Sequence, residues 1–131
     1  MTLLLDTHTL LFFLNGDKDL PEKCRSLIQD SSNDIVISVV SVWEIAIKNS
    51  LGKLELKNGI KDVINQLSLN AISVWQIGND DLITLNALPF HHRDPFDRMI
   101  IAQLITYNKK GSISIITRDR NFSLYGVVTI W

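Results

Sequence analysis

A chain of 131 residues buries roughly two-thirds of its unfolded surface, so one core suffices and disulfide staples are unnecessary. Hydrophobic residues make up 46% and charged residues 21%, which is ordinary for a globular domain and excludes a long disordered tract. The net charge of −1 supplies no global basic field. That argues against a sequence-specific DNA binder but leaves room for a nuclease with a local basic rim.

Thr2 to Leu5 is a short continuous apolar run, the form of a buried parallel strand. Thr9 to Leu14 predicts a short apolar helix ended by Asn15-Gly16. Asp19 is the expected cap of a second helix reaching about Gln29, with Leu20-Pro21 in its first turn and Leu20, Cys24, Leu27 and Ile28 on one face. Ile35 to Val39 is a second buried strand. Ser41 opens the next helix and Gly52 closes it, with Lys48 and Lys53 near the negative end of its dipole. Asn58-Gly59 starts a helix over Ile60 to Leu69. Ile72 to Ile77 predicts a third strand, and Asn79 caps a helix through about Ala87. Leu88 to Arg93 is a loop turning at Pro89, and Asp94-Pro95 begins a strong helix through Tyr107 that stops near Gly111. Ile113 to Thr117 is a fourth strand. A helical turn at Asn121 to Leu124 precedes a last strand, Val127 to Ile130.

Strands alternate with helices from end to end, which predicts a doubly wound α/β protein with a parallel sheet. No linker, composition shift or repeat divides residues 1–131, so one domain is expected. The single cysteine, Cys24, reads as a small buried helix residue and suits a reducing compartment. The N-terminus has no cationic leader, Asp6 interrupts its apolar run, and no stretch approaches the ~20 apolar residues of a membrane span. The cytoplasm is the expected location.

Four acids stand where apolar runs stop: Asp6, Glu44, Asp97 and Asp119. Ligands of open α/β sheets bind outside the carboxyl ends of the strands, so acids placed there converge in one crevice. Carboxylates so crowded repel by about 4 kcal/mol per pair at ~4 Å and an effective dielectric near 20. A hard divalent cation such as Mg²⁺ or Mn²⁺, which prefers oxygen ligands, relieves that repulsion. Each acid also has a plain structural reading. Asp6 suits a helix N-cap. Ser41 to Glu44 matches a capping box, and Asp94-Pro95-Phe96-Asp97 repeats the pattern with Asp94 as cap. Asp119 suits a turn. Their joint placement, rather than any one of them, points to metal chemistry.

Adjacent His91 and His92 project differently, and no third ligand has zinc spacing, so they read as a solvent-facing loop. Trp43, Trp75 and Trp131 are expected in the core or an interface. No phosphate-cradling glycine motif occurs, which argues against nucleotide cofactors.

The segments LLLDTHTLLFFL, SVVSVWEIAIKNSLGKLEL, HHRDPFDRMIIAQ and TRDRNFSLYGV resemble, in order and spacing, the PIN domain, specifically VapC-type toxins of bacterial toxin–antitoxin pairs. DPFDRMIIAQ together with TRD is the specific part of the match. Phe12-Phe13 stands where many relatives carry tryptophan, a difference of packing. The resemblance implies a three-layer α/β/α sandwich with a central parallel sheet, and a Mg²⁺- or Mn²⁺-dependent endoribonuclease acting on RNA. It further implies a cognate antitoxin that covers the crevice and a toxin homodimer. Carried over by motif, Asp6, Glu44, Asp97 and Asp119 are the catalytic and metal-binding acids. Asp94 belongs to the same motif as an outer group, and Thr7 and Thr117 are hydroxyls suited to hold carboxylates in orientation. Lys48, Arg93, Arg98, Arg118 and Arg120 are candidate RNA-contacting cations; the same charges serve equally as solvated surface.

Two rivals stand beside this reading. A phosphoryl-transfer domain with an aspartyl nucleophile fits the topology, yet the haloacid dehalogenase pattern needs an acid where His8 stands. A non-catalytic partner-binding module would use the acids only as caps.

Overall fold

All of Leu3-Leu4-Leu5, Ile35-Val36-Ile37 and Ile115-Ile116 is buried, as strands covered on both faces require. In the computed structural model, which describes residues 1–131, they belong to one sheet of five parallel strands. These are β1 (Thr2–Leu5), β2 (Asp34–Ser38), β3 (Ile72–Trp75), β4 (Ile113–Ile116) and β5 (Val128–Ile130), in the order β3-β2-β1-β4-β5. The helices are α1 (Thr7–Leu14), α2 (Glu22–Gln29), α3 (Val39–Ser50), α4 (Gly59–Leu69), α5 (Asn79–Asn86) and α6 (Pro95–Asn108). A 3-10 helix, Arg120–Tyr125, joins β4 to β5.

Period-two alternation sends the strand side chains into two cores. Leu4, Val36, Ile113 and Ile115 pack with α6 and with Phe122 of the 3-10 helix. Leu3, Leu5, Ile35, Ile37 and Ile116 pack with Leu10, Cys24, Ile28, Ile45 and Leu67 of α1 to α4. The register holds each layer together, with Leu4 opposite Val36 on one side and Ile115 on the other. The result is the α/β/α sandwich. Each fully buried Leu or Ile contributes about 2 kcal/mol of transfer free energy, so charge is driven out of both layers toward the sheet's ends. Order reverses between β1 and β4, and a crevice opens outside the carboxyl ends of strands at such a switch point. Asp6 and Thr117 are the residues that directly follow those two strands.

Several boundaries differ from the sequence expectations, each for a local reason. Asp6 accepts Thr9 N–H at 2.8 Å, so α1 begins at Thr7. Asp19 does not cap α2; the cap position is Pro21 without a side-chain bond, and Asp19 N–H is held by Asp17. Ser38, not Ser41, caps α3 by accepting Val40 N–H. Glu44 therefore lies in the second turn, and the capping box expected of Ser41 does not form. At α5 the cap is Gly78, whose N–H goes to Asp81, and Asn79 is already helical. β3 stops at Trp75, and the Gln76 carbonyl accepts from Gln103 instead. Asp94 caps α6 through Phe96 N–H at 2.8 Å, with Pro95 following, as the spacing predicts. Gly52, at φ +70°, makes the reversal after α3. Trp75 stacks on Tyr107 and Trp131 lies against Phe12, both partly buried, whereas Trp43 is 57% exposed beside Phe96. No helix is long and apolar enough to cross a membrane.

Candidate metal centre

Asp6 is held at the switch point from two sides. Its Oδ1 caps α1, and its Oδ2 accepts the hydroxyl of Thr117, which follows β4. Thr117 Oγ1 in turn accepts the Asp119 backbone N–H at 3.0 Å, so one hydroxyl couples the first and last acids. Thr9 of α1 ties that helix to the end of β4, donating to the Ile116 carbonyl at 2.8 Å. Capping does not withdraw Asp6 from the crevice, since an oxygen can serve a helix end and still face it.

Glu44 is nearly buried on α3. Thr7 Oγ1, at the start of α1, donates to its Oε1 at 2.7 Å, and Ser41 Oγ lies 2.9 Å from the same hydroxyl. The Lys48 ammonium, one turn further along α3, donates to Oε2 at 2.6 Å. That hydrogen bond, foremost, raises the Lys48 pKa, with Glu44, Asp94 and Asp97 adding charge attraction against the lowering by burial.

Asp97 sits in the first turn of α6, and no hydrogen bond reaches its carboxylate. Burial, and after it the charge of Asp94, push its pKa up to about 7; nearby His92 opposes this, while Glu44 and Asp6 add to it. The expected reach of Asp97 back to its helix cap is therefore absent. Asp119 caps the 3-10 helix, its Oδ1 accepting Asn121 N–H at 2.9 Å. Its Oδ2 lies 3.0 Å from His92 Nε2. One ligand atom each of His92, Asp97 and Asp119 fall within 4.8 Å of one another. The acids drawn from β1, α3, α6 and the turn after β4 are thus gathered at one end of the sheet.

His92 corrects the sequence expectation of a solvent-facing histidine pair. His91 is exposed, but His92 is buried, its ring stacked on Tyr125 and edge-on to Phe122. Adjacent residues face opposite ways in an extended loop, and nothing local tells which one turns inward. Arg98 is the second correction. It is buried, not part of a rim: its guanidinium donates to the carbonyls of Pro89 at 2.8 Å, Leu88 at 3.2 Å and His92 at 3.5 Å, under the Phe90 ring. Those carbonyls lack helix or strand partners, and the arginine fork satisfies three acceptors at once. Arg93, Arg118 and Arg120 are exposed, Arg118 lying over the Phe12 ring, and Lys48 is partly so.

Fold and site together define a class: parallel α/β proteins that collect carboxylates where their sheet order reverses. The family model of the PIN domain matches residues 3–128, and the chain belongs to that family. A search of curated proteins finds no match. Among solved structures, VapBC2 from Rickettsia felis, bound to a DNA fragment from their promoter, is similar with a TM-score of 0.72 and 15% identity, over 99% of this chain and 98% of that chain. VapBC-1 from nontypeable Haemophilus influenzae aligns at 0.68 and 13%, over 99% and 97%. FitAcB from Neisseria gonorrhoeae aligns at 0.65 and 14%, over 98% and 96%. At these identities the likeness establishes the fold.

Proposed function

We propose that this protein is a VapC-type toxin, an endoribonuclease that depends on Mg²⁺ or Mn²⁺ and is held silent by a cognate antitoxin. One observation carries the reading. Asp6 and Glu44 each accept two hydrogen bonds from the protein and Asp119 accepts one, with His92 Nε2 3.0 Å from its other oxygen, whereas Asp97 accepts none. A semi-buried carboxylate among like charges with no donor is the group a cation would satisfy. The donor set fits a hard divalent ion, since carboxylate oxygens dominate it.

In this reading Asp6, Glu44, Asp97 and Asp119 hold the ion. When bound, the ion acidifies water and takes up the charge that develops on the phosphate. The chain's own groups keep those oxygens in place. Thr117 orients Asp6, Thr7 orients Glu44, and Asp94 fixes the end of α6 that carries Asp97. Lys48 offsets the charge of Glu44. Exposed Arg93, Arg118 and Arg120, with Lys48, form the rim that receives RNA phosphates. The likeness to VapBC and FitAcB supports an antitoxin partner, and the family resemblance supports a homodimer working in the cytoplasm.

The test is incubation of purified protein with structured RNA and Mn²⁺, with and without EDTA. Cleavage should require the metal and disappear in Asp6→Asn, which keeps a helix-capping oxygen. Undiminished cleavage by that variant would remove the acids from the reaction.

A further inference from the structure

We propose that His92 is a positioning residue of the acidic site: it clamps Asp119 through Nε2–H and aims that carboxylate at Asp97, without ligating the cation. The inference rests on reading the four acids as the metal centre.

Asp119 is the acid most in need of a clamp. Its side chain is 37% exposed, against 5% for Glu44, and it is carried by a 3-10 turn rather than by a long helix. Asn121 N–H secures one oxygen. The other would swing in water without the imidazole 3.0 Å away.

The clamp itself is packed on two sides. The His92 ring stacks on Tyr125 with centroids 5.6 Å apart, and meets Phe122 edge-on at 5.2 Å. Its backbone N–H donates to the Tyr125 hydroxyl at 2.7 Å, and its carbonyl accepts from Arg98. Phe122 and Tyr125 belong to the same 3-10 helix that Asp119 caps. The loop before α6 and the turn after β4 are therefore one assembly, with the His92–Asp119 bond facing the crevice.

The closeness of His92, Asp97 and Asp119 would also suit a histidine ligand. The other ring nitrogen decides between the two roles. Nδ1 is buried and has no hydrogen-bond partner. A proton there would be a buried donor with no acceptor, the more severe of the two ways to leave that atom unpaired. Nε2 therefore carries a proton and donates it to Asp119. Ligation through Nε2 would have to expel that proton or shift it to Nδ1, which is buried without an acceptor. Metal-ligating histidines, moreover, hand their second N–H to an acceptor, and Nδ1 has none.

Three measurements test this on the full chain. Long-range ¹H–¹⁵N spectra of the metal-free protein should show Nε2 protonated. Mn²⁺ titration followed by EPR should show His92→Leu binding the ion ~10- to 100-fold more weakly. His92→Gln, whose amide N–H reaches the same place, should stay within a few-fold of the parent. Pulsed EPR of the Mn²⁺-loaded parent should show no directly bound nitrogen. A bound nitrogen signal that His92→Leu removes would make His92 a ligand and overturn the proposal; so would parent-like Mn²⁺ affinity in His92→Leu, or an Nε2 without a proton. Should the parent bind no Mn²⁺, the metal reading of the site fails, and the ring tautomer still decides whether the clamp exists. Urea unfolding checks that both variants fold, and the tautomer measurement needs neither of them.

Discussion

Asp97→Asn removes the one site carboxylate without a donor while keeping its shape. Its pKa stands at about 7 against an ordinary 3.8, raised by burial first and then by Asp94, Glu44 and Asp6 over the opposing His92. That rise corresponds to ~4 kcal/mol, and discounting for solvent screening of a partly exposed group leaves about 2 kcal/mol. The folded chain holds this proton more tightly than the unfolded chain does. Metal-free stability contributed by Asp97 is therefore lost as pH rises from about 4 to about 7. In EDTA, parent and variant should unfold together at about pH 3 and below, where the carboxyl is largely neutral in both folded and unfolded chains. At pH 8 the variant should lead by about 2 kcal/mol, or ~8 °C at roughly 4 °C per kcal/mol for a chain of this size. Saturating Mn²⁺ should reverse the order, because a ligand that binds only the folded parent stabilises it by mass action. Thermal unfolding followed by circular dichroism across that pH range is the assay. A stability difference that does not change with pH, or a variant less stable at pH 8 in EDTA, refutes the reasoning.

Thr117→Val deletes the hydroxyl between Asp119 N–H and Asp6 Oδ2; urea unfolding should register a loss of about 1–3 kcal/mol, with cleavage falling ~10-fold or more. Unaltered Mn²⁺ affinity would take Thr117 out of the centre. Arg98→Ala strands three carbonyls and should destabilise by about 3 kcal/mol. Arg98→Lys should recover little, because an ammonium cannot reproduce the planar fork; a near-neutral alanine variant would return Arg98 to the surface. Joint replacement of Arg93, Arg118 and Arg120 by Ala in an Asp6→Asn background should leave stability within ~0.5 kcal/mol. RNA binding in that variant should lose about 2 from its logarithmic salt slope, and an unchanged slope would place the RNA path elsewhere.

The elements were legible because their signals are local. Leu3-Leu4-Leu5 and Ile35-Val36-Ile37 can only be strands covered on both faces, and Asp94-Pro95 marks a helix start whatever surrounds it. Caps were less legible where candidates crowd. Ser38 and Ser41 both precede apolar turns, and the end of β2 decides that Ser38 takes the first N–H while Ser41 meets Thr7. Arg98 shows the same limit. Charge predicts exposure, but its place on α6 points it at carbonyls that only the returning loop supplies.

By itself the sequence determined the strand and helix order, the two-sided burial of the sheet and the identity of the acids at its ends, because each follows from neighbours within a few residues. Tertiary structure alone decided how those acids are held. Thr7 reaches Glu44 across 37 positions, Thr117 reaches Asp6 across 111, and His92 reaches Asp119 across 27. Hydrogen bonds between groups so far apart exist only after β1 and β4 lie side by side and α6 closes over them, and no short-range pattern encodes that juxtaposition.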